Sequence, residues 1–225
     1  MLVALALARP SARDRLVATL GLTAVIALLT PLAWDTPWWK GWPAPLAGYC
    51  TGRVPDALFP LFPWAAFTAL GAACGILLAR ARDRGREGAT IGMLAVAGAA
   101  AIPMALWVDR HAPPTYPIYD FWQTSPSYFV LKAGVLLVLL ALAFVMDRLP
   151  GPSALRQLGR TSLLVYWAHL EIVYGKWIAP GARDALSVEE AGWCVVVLVL
   201  AMLALSIART HARGGPLGGS ALAKA

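Results

Sequence analysis

The stretch Ala191-Gly-Trp-Cys-Val-Val-Val-Leu-Val-Leu-Ala-Met-Leu-Ala-Leu-Ser-Ile-Ala208 contains no charged residue. At 1.5 Å of rise per residue, a helix of this length crosses most of the ~30 Å hydrocarbon layer of a bilayer. Leu16 to Trp34, Ala57 to Ala79 and Ala89 to Val108 are of the same kind. Two further stretches have polar intrusions: Phe121 to Met146 carries Lys132, and Leu158 to Ile178 carries Arg160, His169, Glu171 and Lys176. The chain of 225 residues is 59% hydrophobic and only 14% charged, against about 25% charged in an average soluble domain. That is too little charge to cover a water-facing surface, and the apolar residues come in runs rather than stripes with a polar face. The expected fold is therefore all-α, a polytopic membrane helix bundle with about six transmembrane helices, near 16–34, 57–79, 89–108, 121–146, 158–178 and 191–208.

The basic residues orient these spans. Arg9, Arg13 and Arg15 precede the first, Arg80, Arg82, Arg84 and Arg86 follow the second, Arg148, Arg156 and Arg160 follow the fourth, and Arg209, Arg213 and Lys224 follow the last. The opposite connections hold only Lys40, Arg53, Arg110, Lys176 and Arg183. The positive-inside rule then puts both termini in the cytoplasm, in the cytoplasmic or inner membrane of the cell. The net charge of +7 thus reports topology and needs no nucleic-acid partner. Cys50, Cys74 and Cys194 are odd in number and widely spaced, which excludes a disulfide framework or a CxxC metal knuckle; no metal is expected. Residues 1–15 read as the cytoplasmic end of a truncated helix, because Leu2 to Ala8 is too short to span. Residues 209–225 read as a disordered cytoplasmic tail.

The outward connections are rich in Trp34, Trp38, Trp39, Trp42, Trp107, Tyr116, Tyr119, Trp122 and Trp177. Such rings suit the headgroup layer, and their faces also suit a sugar, which makes Trp122 a substrate-binding candidate. Phe59-Pro-Leu-Phe-Pro-Trp64 reads as a helix entry that could also shape a substrate mouth, and Gly71 and Gly75 form a GxxxG packing pattern. Thr124-Ser125-Pro126-Ser127 has the form of a helix cap followed by Pro in the first turn, with Ser125 as a second polar contact for substrate.

Ionisable residues inside a span cost free energy unless paired or solvated. On the helix from Leu158, Ser162, Tyr166 and His169 fall on one face, while Trp167, Glu171 and Tyr174 fall on another. His169 and Glu171 are the catalytic candidates, His169 as a general base near neutral pH, with Ser162 and Tyr166 as substrate-binding hydroxyls. Lys132 and Glu171 are expected at similar depth. They read either as an ion pair or, for Lys132, as a substrate contact. The cluster Arg80, Arg82 and Arg84, together with Arg160, reads either as contact with anionic membrane lipid or as a surface for the phosphates of a nucleotide cofactor. No GxxxxGK phosphate loop is present.

Phe59-Pro-Leu-Phe-Pro-Trp-Ala-Ala-Phe-Thr-Ala-Leu-Gly-Ala72, Phe121-Trp-Gln-Thr-Ser-Pro-Ser-Tyr-Phe129 and Leu158-Gly-Arg-Thr-Ser-Leu-Leu-Val-Tyr-Trp-Ala-His-Leu-Glu-Ile-Val-Tyr-Gly175 occur in that order. Together they resemble bacterial membrane proteins related to heparan-alpha-glucosaminide N-acetyltransferase, over most of residues 16–208, and the chain looks like the C-terminal half of such a protein. The resemblance implies an acyltransferase that takes acetyl-CoA or another acyl-CoA and acylates a sugar amine or hydroxyl of an envelope glycan or glycolipid. The catalytic histidine of that family belongs to an early loop outside this chain, so its role does not pass to His169. Two other functions fit the same residues: a proton-coupled transporter or flippase-like protein using His169, Glu171 and Lys132, and a non-catalytic membrane scaffold, with a homo-oligomer compatible with the GxxxG pattern.

Overall fold

The computed structural model describes residues 1–35, 39–51, 59–111, 116, 120–151, 153–174 and 186–212. All regular structure among them is helical, and the protein is a multi-pass membrane helix bundle. The chain divides into two compact units, Met1–Leu142 and Ala143–Ala225. The first holds α1 (Leu2–Leu7), α2 (Ala12–Asp35), α3 (Ala44–Thr51), α4 (Leu61–Asp83), α5 (Glu87–His111) and most of α6 (Pro126–Arg148); the second holds α7 (Ala154–Arg160), α8 (Ser162–Tyr174) and α9 (Val188–Ala212). Side-chain caps set several starts. Ser11 Oγ accepts from Asp14 N at 3.0 Å before α2. Ser187 and Glu190 form a reciprocal capping box before α9, with Ser187 N donating to Glu190 Oε2 at 2.8 Å and Glu190 N to Ser187 Oγ at 3.3 Å.

Among the described residues, five helices are long and apolar enough to cross a membrane: α2 over Ala12–Trp34, then α4, α5, α6 and α9. They overlap five of the six expected spans, but several run further. α4 ends at Asp83 rather than Ala79, α5 at His111 rather than Val108, and α9 at Ala212 rather than Ala208. A hydropathy window stops at the first charge, whereas backbone hydrogen bonding continues through charged residues into the headgroup layer. Asp109, Arg110 and His111 are therefore helical: His111 Nδ1 lies 2.8 Å from the Trp107 carbonyl oxygen, and the two rings stack at 4.9 Å. Likewise Arg209 to Ala212 belong to α9 rather than to a tail; residues 213–225 lie outside the described ones, as do Trp38, Arg53, Tyr119, Lys176, Trp177 and Arg183.

The expected span 158–178 is interrupted. Its first residues belong to the seven-residue α7, which ends at Arg160 and is followed by the non-helical cap residue Thr161 (φ −119°, ψ 25°), and α8 follows with 13 residues; residues 175–185 are outside the described set. A buried polar cluster accompanies the break. Gln157 Nε2 donates to the Ser206 carbonyl oxygen and Oγ at 3.1 Å and to Thr210 Oγ1 at 2.8 Å. Thr161 Oγ1 donates to Ser206 Oγ at 2.6 Å, and Ser206 Oγ donates to the Gln157 carbonyl oxygen at 2.9 Å. In an apolar setting the donors of this cluster find partners within it, leaving Gln157 Oε1 as a buried oxygen without one, and the bonds tie α7 to α9.

In the first unit the main seam joins α2 to α4. Ala66, Ala69 and Ala73, one face of α4 by spacing, are buried, as are Thr19, Thr23, Ile26, Ala27 and Thr30 of α2. The threonine hydroxyls donate to carbonyls one turn back, Thr19 to Arg15 at 2.9 Å, Thr23 to Thr19 at 2.8 Å and Thr30 to Ile26 at 2.7 Å, so their burial leaves no unsatisfied donor. Small side chains let two backbones approach and gain dispersion contacts where lipid supplies no hydrophobic drive. The glycine pattern at Gly71 and Gly75 is not this seam: both are exposed, and a Cβ on either would meet nothing within 4 Å. Each stands ~200° around the helix from an alanine of the seam. The closest glycine contact lies elsewhere, where α5 crosses α6. A methyl built on Gly98 would lie 2.6 Å from the Gly134 carbonyl oxygen, and one on Gly134 equally close to the Gly98 carbonyl oxygen.

Substituting Ala at Gly98 should therefore force the backbones apart and cost about 1–3 kcal/mol, whereas Gly71→Ala should be neutral or stabilise by about 0.5–1 kcal/mol. Thermal unfolding in detergent checks the pair; equal midpoints would remove the glycine crossing as a determinant of the bundle.

Candidate functional site

At one end of the first unit, the C-terminus of α2 and the N-termini of α4 and α6 surround a cavity of about 180 Å³, lined by Trp34, Pro60, Pro63, Trp64, Phe67, Trp122, Gln123, Ser125, Tyr128, Phe129 and Lys132. Its walls follow from local sequence. Pro60 has extended dihedrals (φ −64°, ψ 154°), and so does Phe62 (φ −98°, ψ 117°), so the chain enters α4 through an open turn. Trp34 Nε1 donates to the part-buried Phe62 carbonyl oxygen at 3.0 Å and fixes that turn against α2. The rings of Phe59 and Trp64 meet edge to face at 5.0 Å, and those of Phe67 and Phe129 lie 4.6 Å apart.

The opposite wall is a turn built on Asp120. Its carbonyl oxygen accepts from Thr124 N and Ser125 N at 3.0 Å, and its Oδ1 accepts from Trp122 N at 2.9 Å. Ser125 then caps α6, its Oγ accepting from Ser127 N at 3.1 Å and Tyr128 N at 3.4 Å, and Pro126 opens the helix. Thr124 and Ser125 are buried, so the hydroxyl of Ser125 holds the cap at the cavity edge. Trp122 is 69% exposed and lies 5.2 Å from the Tyr128 ring, leaving a wide aromatic face open at the mouth.

Lys132 stands on the same face as Ser125 and Tyr128, seven residues or roughly 10 Å along α6 from the cap. Its ammonium lies 4.3 Å from the Tyr128 ring centroid and 5.6 Å from that of Trp64. A lysine within a span costs about 2.5–3.5 kcal/mol on insertion scales, while cation–π contact returns ~0.5–2 kcal/mol. The rings thus offset part of the cost and turn the charge toward the cavity.

The other expected site residues fall in separate places. Arg82 and Arg84 are exposed and Arg80 is half-buried, around the α4–α5 turn where Gly85 takes φ +65°. The second unit holds Ser162, Tyr166, His169, Glu171 and Arg160. There the Tyr166 and His169 rings meet at 5.4 Å, as their shared face requires, and Ser162 and Glu171 are exposed. His169 Nδ1 lies 3.0 Å from the Val165 carbonyl oxygen. A carbonyl can only accept, so Nδ1 is the donor in this contact and Nε2 is the ring nitrogen left for another partner. Arg160 is exposed at the end of α7. The cavity unites Trp122, Ser125 and Lys132 with the Phe59–Trp64 entry. Phe67, Gln123, Tyr128 and Phe129 line the cavity although the sequence reading gave them no site role, and Trp34 was named there only among the outward rings; the i, i+3, i+7 spacing of Ser125, Tyr128 and Lys132 was the available signal.

Compared with known protein families, residues 1–210 match the family described as an acyltransferase domain. No curated protein matches the chain, and no solved structure matches it.

The Trp34 hydrogen bond should carry measurable stability. Trp34→Phe leaves the Phe62 carbonyl without its donor and should cost about 1–3 kcal/mol, while the exposed Trp193→Phe should stay within about 0.5 kcal/mol of the parent. Parallel unfolding curves in detergent compare them, and coincident curves would mean that the entry turn does not depend on this bond.

Proposed function

The chain belongs to this acyltransferase family, and from that membership together with the aromatic cavity we propose a multi-pass membrane enzyme that transfers an acetyl or other acyl group from acyl-CoA to a hydroxyl or amine of an envelope glycan. The observation that carries the acceptor class is the cavity itself. Trp122 and Trp64 offer flat faces of the kind that sugars stack on, and Gln123, Ser125 and Lys132 add polar groups at its edge. The three motifs that resemble relatives of heparan-alpha-glucosaminide N-acetyltransferase support acetyl as the group transferred. The distribution of Arg and Lys supports cytoplasmic termini in the cytoplasmic membrane, which places Arg80, Arg82 and Arg84 on the side where acyl-CoA is found.

The reaction needs few parts. The acceptor oxygen or nitrogen attacks the thioester carbonyl, its proton passes to a base, the carbon–sulfur bond breaks, and CoA leaves as a thiolate that takes up a proton. His169 is the base in this reading, because its Nδ1 is committed to Val165 and its Nε2 is available. Ser162 and Tyr166 share its helix face and are proposed substrate contacts, while Glu171 is the second proposed acid–base group. Arg80, Arg82 and Arg84 of the first unit are the proposed contacts for the phosphates of the donor, and Arg160 of the second unit is a separate candidate.

Membranes containing the full chain and radiolabelled acetyl-CoA test this reading. Label should pass to glycan or glycolipid, and His169→Gln should lower the rate by about 10²–10⁴-fold. Trp122→Ala should raise the KM for acceptor more than it lowers kcat. No transfer to any glycan fraction, or a full rate in His169→Gln, would refute the assignment.

A further inference from the structure

Lys132 brings its ammonium into a cavity whose other walls are rings, prolines, one amide and two hydroxyls, those of Ser125 and Tyr128. Within the first unit no described carboxylate pairs with it, and its ammonium faces the rings of Tyr128 and Trp64. The cavity is open to a ligand at Trp122 and carries no acidic side chain among its described lining residues. An aromatic wall alone would serve a neutral sugar. A cation held among aromatic rings, in a low-dielectric setting, strongly favours a negative charge beside it.

We propose that the cavity is a subsite for an anionic saccharide, in which Lys132 binds a carboxylate or phosphate while Trp64 and Trp122 cover the sugar ring. This rests on the acceptor reading above and narrows it: the glycan acylated is acidic, and Lys132 sets specificity by charge. The ammonium can reach such an anion by leaving the Tyr128 ring face, so the rings act as its resting place and the ligand as its full partner. Gln123 lies at the same edge, where its amide is placed to meet sugar hydroxyls, while Ser125 holds the helix cap. The N-terminus of α6 adds the positive end of its dipole from the same side.

Binding can be measured on the full chain in phosphatidylcholine nanodiscs, whose lipid adds no net charge. The probes are glucose, glucuronate, glucose 1-phosphate and inorganic phosphate. The parent should bind glucuronate or glucose 1-phosphate at least ~10-fold more tightly than glucose, as one charge-assisted contact implies. Lys132→Met should erase that ratio while leaving glucose within ~3-fold, and Lys132→Arg should preserve the ratio, which separates loss of charge from loss of fold. Equal affinity for glucose and both anionic sugars would overturn the charged subsite and leave the sugar-binding reading intact. Inorganic phosphate or added phosphatidylglycerol binding at Lys132, with no sugar of either charge bound, would overturn the saccharide assignment and the acceptor reading with it. If Glu171→Gln restores stability lost in Lys132→Met, the lysine serves an internal ion pair and the proposal fails.

Discussion

The close approach of α2 to α4 along Ala66, Ala69 and Ala73 is the constraint on which the first unit rests. In a bilayer, lipid is as apolar as a leucine face, so helices gain by bringing backbones near enough for dense dispersion contact. The alanines permit that approach, and the threonines opposite them survive burial because each hydroxyl donates to its own helix. The functional geometry follows from the same seam. With α2 and α4 held together, Trp34 reaches the Phe62 carbonyl, the entry turn of α4 is fixed, and Trp64 becomes a wall rather than a lipid-facing anchor.

Polar groups in this protein divide by how completely they are satisfied. The Gln157, Thr161, Ser206 and Thr210 cluster bonds extensively within itself, and its consequence is structural: the helix expected over 158–178 breaks so that α7 can lock to α9. The threonines of α2 are likewise closed to outside partners by their own helix. Lys132 differs, since rings supply only part of what its charge lost on leaving water. A charge so placed, beside a cavity and close to a capped helix start, is the feature on which the proposed saccharide subsite rests.

Much of this was legible along the chain. Apolar runs of about twenty residues located the five long helices among the described residues, because backbone groups in hydrocarbon must bond within their own segment, while the sixth expected span, with its polar intrusions, is broken. The Thr-Ser-Pro-Ser cap and the shared face of Tyr166 and His169 also rest on local chemistry and helical spacing. Family membership adds the acyl-transfer reaction, which no single residue type declared.

Other features depended on which surfaces meet. Gly71 and Gly75 have the spacing of a packing motif, yet the seam forms on the alanine face and the tight glycine crossing is made by Gly98 and Gly134. A motif records what a helix can present, and only the neighbouring helix decides what is used. Helix ends extended past the first charges because hydrogen bonding, unlike hydropathy, does not stop at an arginine. The sequence by itself determined an all-helical membrane protein with aromatic rims and a few costly polar residues, since solvent and helix period are properties of composition and spacing. Tertiary structure alone decided that Trp34, Trp64 and Phe67 would join Tyr128 and Lys132 around one cavity, because these residues lie on three helices that only long-range packing brings together.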